Sequence, residues 1–174
     1  MITPRIPLPD APDTPGISGA AYEAYAPEVG AAMLAYKIPL GRMKSVDYIT
    51  KELVRLRNAH ISGCQICGNF RNPKAVEAGL DETLVALVDD PADERFSSSQ
   101  RAAIRLTEAF LFCPFLDDAL KDELTAHFTP AQLTEIVLSL VSWNANKATV
   151  LLGIDYEGDE RLTLDLVAAG TDFL

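Results

Sequence analysis

Apolar residues recur along most of this chain at intervals of three and four, the spacing that lines one face of an α-helix. The stretch "EVGAAMLAYK" predicts a first helix from about Pro27, a good first-turn residue, stopped by "IPLG". Ile49, Leu53 and Leu56 mark the buried face of a second, starting near Ser45 and closed at Ile61-Ser62-Gly63, where glycine takes the left-handed conformation that ends a helix. Another helix is expected from Cys64 to about Asn72, with Pro73 as its limit. Gly79 punctuates the short piece that follows, and Asp81 offers an N-cap for "ETLVALV". One of Ser97, Ser98 and Ser99 starts "QRAAIRLTEAFLF". Thr129-Pro130-Ala131-Gln132 reads as a capping box with proline at the first helical position, opening "LTEIVLSLVSWNANKATVLL". No segment alternates with period two over strand length, so an all-α, bundle-like domain is predicted.

Five prolines between Met1 and Pro15 forbid helix or central strand there, which makes residues 1–17 an extended arm lying across the body or a neighbouring subunit. The domain is expected over residues 18–157 and a tail over 158–174. The pieces "KELV" at Lys51 and "TEIV" at Thr134 hint at an internal repeat, although four residues alone do not establish one.

Composition narrows the function. A chain of 174 residues buries roughly 70% of the surface its unfolded form exposes, so it folds without disulfide staples or a structural metal. Apolar residues make up 48% of it in no uninterrupted run of membrane length, and no charged-then-apolar leader follows Met1. A cytoplasmic protein with no membrane partner is expected. The net charge of −10, with basic residues scattered, lacks the electrostatic footprint of nucleic-acid binding. Three cysteines in a reducing compartment do not make a disulfide framework; a close pair there is more often catalytic or metal-binding. Cys113, in "AFLFCPFL", reads as an inert buried thiol.

The close pair lies in "NAHISGCQICGNFRN". On a continuous helix Cys64, Cys67 and Arg71, three and four residues apart, would face one way, and in the first two turns the helix dipole and unpaired amides favour a thiolate. Lowering a thiol pKa from ~8.5 to ~6.5 raises its thiolate fraction at neutral pH from about 3% to about 75%. A zinc site is the alternative, but His60, Cys64 and Cys67 supply three ligands where four are needed, and neither Cys113 nor His127 has the spacing of a second knuckle. Haem attachment needs histidine where Gly68 stands, and a thioredoxin fold needs a βαβ pattern that is absent. No metal and no cofactor is expected. Two helix-packing thiols without chemistry is the remaining alternative. His127 reads as a C-terminal capping residue of its helix.

The run "KELVRLRNAHISGCQICGNFRNPKAVEAGLDETLVALVDDP", followed by "FSSSQRAAIRLTEAF" and "HFTPAQLTEIVLSLVSWNANK", resembles the carboxymuconolactone decarboxylase and AhpD-like alkylhydroperoxidase superfamily over about Ala31 to Leu152. The resemblance implies an AhpD-like helical bundle with a CxxC helical hairpin, self-associating as a homo-oligomer. In the redox branch a glutamate precedes the first cysteine by twelve residues, as Glu52 precedes Cys64, and a histidine follows the second by four. Glu52 thus matches the proton-relay glutamate and Cys64 and Cys67 the redox cysteines, while Arg71 stands at the histidine's position and cannot act as a base.

Twelve residues of unbroken helix would hold Glu52 about 18 Å from Cys64, so contact requires a reversal at Ile61 to Gly63. A hairpin centred near Ser62 sets residue 52 opposite residue 72, which predicts Glu52 across from Arg71 and Cys67 across from Arg57. Arg71 would then pin Glu52 as a carboxylate or form a cationic seat for an acidic substrate. His60, near the level of Cys64, is a candidate for proton exchange, the alternative being a histidine that satisfies helix-end carbonyls. Trp143, Asn144 and Asn146 could line a pocket, with core packing the alternative for Trp143. The implied activity is reduction of a small-molecule hydroperoxide by the dithiol, recharged by a lipoyl or thioredoxin-like dithiol donor. A cysteine-independent lyase on a small carboxylate, with Arg71 as anchor, and a non-catalytic oligomer are the alternatives.

Overall fold

A computed structural model describes residues 4–7, 21–22, 24–112 and 116–154, and among them the regular structure is helical. The helices run in the order α1 (Pro27–Gly41), α2 (Tyr48–Ser62), α3 (Gln65–Asn69), α4 (Pro73–Glu77), α5 (Glu82–Val85), α6 (Ser98–Phe112), α7 (Asp118–His127), α8 (Pro130–Asn144) and α9 (Lys147–Leu152). Their starts follow the capping chemistry of the sequence. Asp47, Asn72, Asp81 and Asp117 each accept a hydrogen bond from a first-turn amide, and Thr129 and Gln132 form the reciprocal capping box.

Helix α2 is the axis of the fold. Two cores meet along it. Val54 joins Ala102, Ala103, Leu106, Leu124, Ile136 and Leu140 on one side, while Leu53 and Leu56 join Ala75, Val88, Phe96 and Ile104 on the other. A helix buried on so many faces must pair its charges, because an uncompensated ion out of water costs several kcal/mol. Lys51 does so with Glu135 on α8 at 2.8 Å, and Arg55 with Glu52 one turn back at 2.7 Å. Glu135, fully buried, also accepts from the backbone amides of Ser45 at 2.8 Å and Val46 at 3.3 Å, fixing the chain that enters α2.

Four elements differ from the sequence expectation, one being the helix capped by Asp81, which ends at Val85 rather than Val88. The "IPLG" segment forms the last turn of α1, with Pro39 inside the helix, where its missing N–H leaves one backbone bond unmade. The helix at Cys64 ends at Asn69 instead of Asn72, because the carbonyls of Cys67, Gly68 and Phe70 are taken by guanidinium donors of Arg55 and Arg71 rather than by a following turn. The long final helix divides at Ala145-Asn146, where bonds three residues apart (Asn146 N to Trp143 O, Ala148 N to Ala145 O) tighten the chain between α8 and α9. Residues 4–7 lie against the body: Arg5 donates through its backbone to Leu152 O at 2.8 Å and through its guanidinium to Leu151 O, and Tyr25 donates to Pro7 O. Cys113, most of the arm and the expected tail fall outside the described residues. Among the described residues no helix is long and apolar enough to cross a membrane.

Candidate active site

The reversal after α2 depends on Gly63, whose φ of 68° lies in the left-handed region that costs an L-residue with a β-carbon about 1–2 kcal/mol. Gly63 N and Cys64 N then return to the carbonyls of His60 and Ala59, closing the helix end, and the chain turns back along α2. Cys64 becomes the N-terminal flanking residue of α3, and Cys67 lies within it. The two sulfurs stand 2.7 Å apart, Cys64 almost fully buried and Cys67 half-buried. With five residues, α3 lacks the second turn that the sequence expectation gave it, so its dipole contributes less to the thiols than a full helix would.

The hairpin register is the expected one: the Asn72 amide donates to Glu52 Oε1 at 2.9 Å. The partners are not. Glu52 is held by Arg55, three residues on along its own helix, through Nε to Oε2 at 2.8 Å and Nη2 to Oε1 at 2.7 Å. Arg71 turns instead to Glu82, at 3.1 Å through both Nε and Nη2, and to the Gly68 and Phe70 carbonyls. It lies past the end of α3, so it does not share a helix face with the cysteines. Arg57, expected across from Cys67, pairs with Glu108 and Asp89. The guanidinium that reaches Cys67 is that of Arg55, which donates to its carbonyl at 2.5 Å and to Phe70 O at 2.8 Å, and lies over the Phe70 ring. Burial works against the Arg55 charge, but the Glu52 carboxylate, its hydrogen bonds and the two cysteines more than offset it and hold the group above its ordinary value.

The sulfur pair is approached from two directions. On the Cys64 side a cleft of about 340 Å³ is lined by His60, Gly63, Cys64, Gln65, Arg71 and Glu82 among others. His60 sits at its rim with Nδ1 3.1 Å from Asp89 Oδ2, so a carboxylate orients the ring; the Ala59 and His60 carbonyls at the helix end accept from the Gly63 and Cys64 amides and the Ser62 hydroxyl. On the Cys67 side Asn146 Nδ2 donates toward Sγ at 3.5 Å, and Lys37 Nζ donates to Asn146 Oδ1 at 3.4 Å. Burial pushes Lys37 below an ordinary lysine, with a Cys67 thiolate acting in the opposite direction. Among the described residues no group of three or more His, Cys, Asp and Glu side chains is arranged to hold a metal ion. Trp143 packs in the core, and Asn144 Oδ1 is buried without a hydrogen-bond partner. His127 occupies the last turn of α7, exposed.

Sequence reading missed Arg55, Asp89 and Lys37. The first had a signal, since opposite charges three apart on a helix are neighbours; Asp89 and Lys37 meet the hairpin only through tertiary folding.

No family model matches the chain. An uncharacterized protein of Mycobacterium tuberculosis is 29% identical over 161 residues, covering 86% of this chain and 51% of that protein. The uncharacterized protein YnjA of Escherichia coli is 33% identical over 93 residues, 52% of this chain and 51% of that protein. The chain thus spans about half the length of these curated relatives. Among solved structures, a protein of unknown function from Agrobacterium tumefaciens, provisionally described as the antioxidant defence protein AhpD, superposes with a TM-score of 0.67 at 19% identity, over 79% of this chain and 97% of that one. The debrominase Bmp8, solved with 2,3,4-tribromopyrrole, superposes with a TM-score of 0.66 at 14% identity, over 81% of this chain and 76% of that one. The chain has the all-α AhpD-like fold.

Proposed function

We propose that the chain is a dithiol oxidoreductase of the alkylhydroperoxidase type, reducing small organic hydroperoxides at Cys64 and Cys67. The observation that carries the reading is the sulfur pair itself, 2.7 Å apart at a hairpin tip with a cleft beside it. Cys67, the more exposed sulfur and the one facing the Asn146 amide, attacks. Its thiolate bonds to the terminal hydroperoxide oxygen, the O–O bond breaks, and the alkoxide leaves as alcohol after taking a proton. The resulting Cys67 sulfenic acid is displaced by the Cys64 thiol, which forms the disulfide and releases water. A dithiol donor, lipoyl or thioredoxin-like, then exchanges with the disulfide, becoming oxidised and restoring both thiols.

His60, oriented by Asp89 at the cleft, exchanges protons on the Cys64 side. Glu52, committed to Arg55 and the Asn72 amide, serves by holding the hairpin. The lyase alternative asks Arg71 to anchor a carboxylate, and its engagement with Glu82 and two carbonyls weighs against that use. Exposed apolar side chains on α8, Val137, Leu138 and Val141, support self-association of the chain.

The test follows cumene hydroperoxide loss with dihydrolipoamide as donor. One donor oxidised per hydroperoxide is expected in the native chain, with loss of turnover in Cys64→Ser and Cys67→Ser; equal turnover in Cys67→Ser overturns the reading. Mild oxidation followed by differential alkylation and mass mapping should show a Cys64–Cys67 disulfide with Cys113 still alkylated.

A further inference from the structure

Two groups from distant parts of the chain converge on Cys67, and neither belongs to the hairpin. Lys37 lies in the last two turns of α1, and Asn146 in the tightened junction between α8 and α9. Lys37 Nζ donates to Asn146 Oδ1 at 3.4 Å, and Asn146 Nδ2 faces Cys67 Sγ at 3.5 Å. The order of these contacts is chemically determined. An ammonium has donors and no lone pair, so it selects the oxygen end of the amide and leaves the NH2 end turned to the sulfur. A donor facing sulfur stabilises thiolate over thiol.

The charges around Cys67 single out Lys37. Arg55, on α2, bonds the Cys67 carbonyl but is matched by Glu52 in a bidentate pair. Arg71, beyond α3, is matched by Glu82, and Arg57 by Glu108 and Asp89. Among the described residues Cys64 is a further ionisable neighbour, its sulfur 2.7 Å away. Among the described residues Lys37 has no carboxylate partner, so its charge is available to a thiolate. Burial costs Lys37 part of its proton affinity and a Cys67 thiolate returns some of it, an interaction that acts equally on both partners.

We infer that Lys37 and Asn146 form a charge-and-amide support for the Cys67 thiolate, with Lys37 a positioning residue that acts through the orientation of the Asn146 amide. The inference deepens the dithiol reading and rests on it for its use in turnover, while its test reads the thiol directly. It also brings a positive charge from α1, through the α8–α9 junction, to the Cys67 end of the pair.

The experiment is the pH profile of iodoacetamide alkylation at Cys67 in the full reduced chain, resolved from Cys64 by mass mapping. Lys37→Met is expected to raise the Cys67 midpoint by about one pH unit and slow its alkylation at neutral pH up to about tenfold. Asn146→Ala raises it comparably, and Lys37→Arg preserves it. Combined with Asn146→Ala, Lys37→Met adds less than it does alone, the signature of action through the amide. A midpoint that moves by less than about a fifth of a unit in Asn146→Ala, or equal and additive shifts, overturns the inference. Should Lys37→Met fail to fold, Lys37→Arg and Asn146→Ala decide the matter alone. A shifted midpoint without hydroperoxide turnover would sink the peroxidase reading and leave this one standing; turnover without a shift would do the reverse.

Discussion

Replacing Glu52 with glutamine tests how the hairpin is held. Glu52 Oε1 accepts from Arg55 Nη2 and the Asn72 amide, and Oε2 accepts from Arg55 Nε, so each oxygen faces at least one donor. A glutamine NH2 group placed at either position meets a donor. Placed at Oε2 it forfeits one charge-assisted bond, about 1.5–3 kcal/mol. The larger effect is on Arg55, 2% exposed, which loses its counter-charge; breaking a buried pair costs about 3–5 kcal/mol. The two costs overlap, so about 3–5 kcal/mol is the expected total, a fall in Tm of about 6–20 °C for a chain of this size. Urea unfolding with an unchanged m-value reads it. The alkylation midpoint of Cys67 should move down at the same time, since Arg55 is left as an uncompensated cation at the Cys67 carbonyl. Adding Arg55→Met should cost less than the sum of the two single changes, because neither stranded charge remains. A loss under about 1 kcal/mol, or strict additivity in the double variant, would refute the account of Glu52 and Arg55 as one buried unit.

Gly63→Ala should cost about 1–2 kcal/mol, read by urea unfolding, purely through the left-handed backbone, since an added β-carbon meets nothing within 4 Å. Arg71→His places a base at the cleft and should raise hydroperoxide turnover; a fall would instead mark Arg71 as a substrate anchor. The carboxyl of Asp93, hydrogen-bonded by the Arg95 side chain and amide, is lowered to about 2 from 3.8, so its contribution to stability, small after solvent screening at this exposed site, is present in full above 3.8 and lost as pH falls toward 2. The difference in stability between the native chain and Asp93→Asn should therefore be constant near neutrality and shrink across that acidic window, as measured by urea unfolding at each pH.

The fold was legible where a feature depends on neighbours in sequence. Caps at Asp81 and Thr129, the glycine reversal at Gly63 and the pairing of residue 52 with residue 72 all follow from local chemistry. Reading failed where two donors competed for one acceptor. Arg55 and Arg71 could both serve Glu52, and burial decided: Arg55 is already inside, one turn from Glu52, and shares its donors with the Cys67 and Phe70 carbonyls, while Arg71 reaches the half-exposed Glu82 at the rim. The helix break at Asn146 was equally hidden, because "WNANK" carries no proline or glycine to announce it. Yet the weak repeat between "KELV" and "TEIV" places a buried glutamate at matching positions, Glu52 and Glu135, each paired with a cation of α2, the first accepting from the Asn72 amide and the second from those of Ser45 and Val46.

Those two glutamates belong to the framework. Together with Lys51 and Arg55 they clamp the chain where it enters α2 and where it leaves the hairpin, using atoms that face neither the cleft nor solvent. His60, Cys64 and Arg71 line the cleft, and none of the four clamp residues does. Substitution at the cleft can therefore leave the clamp in place, and the same bundle shape is shared by proteins as different as an antioxidant candidate and a debrominase, so the fold alone does not fix a reaction.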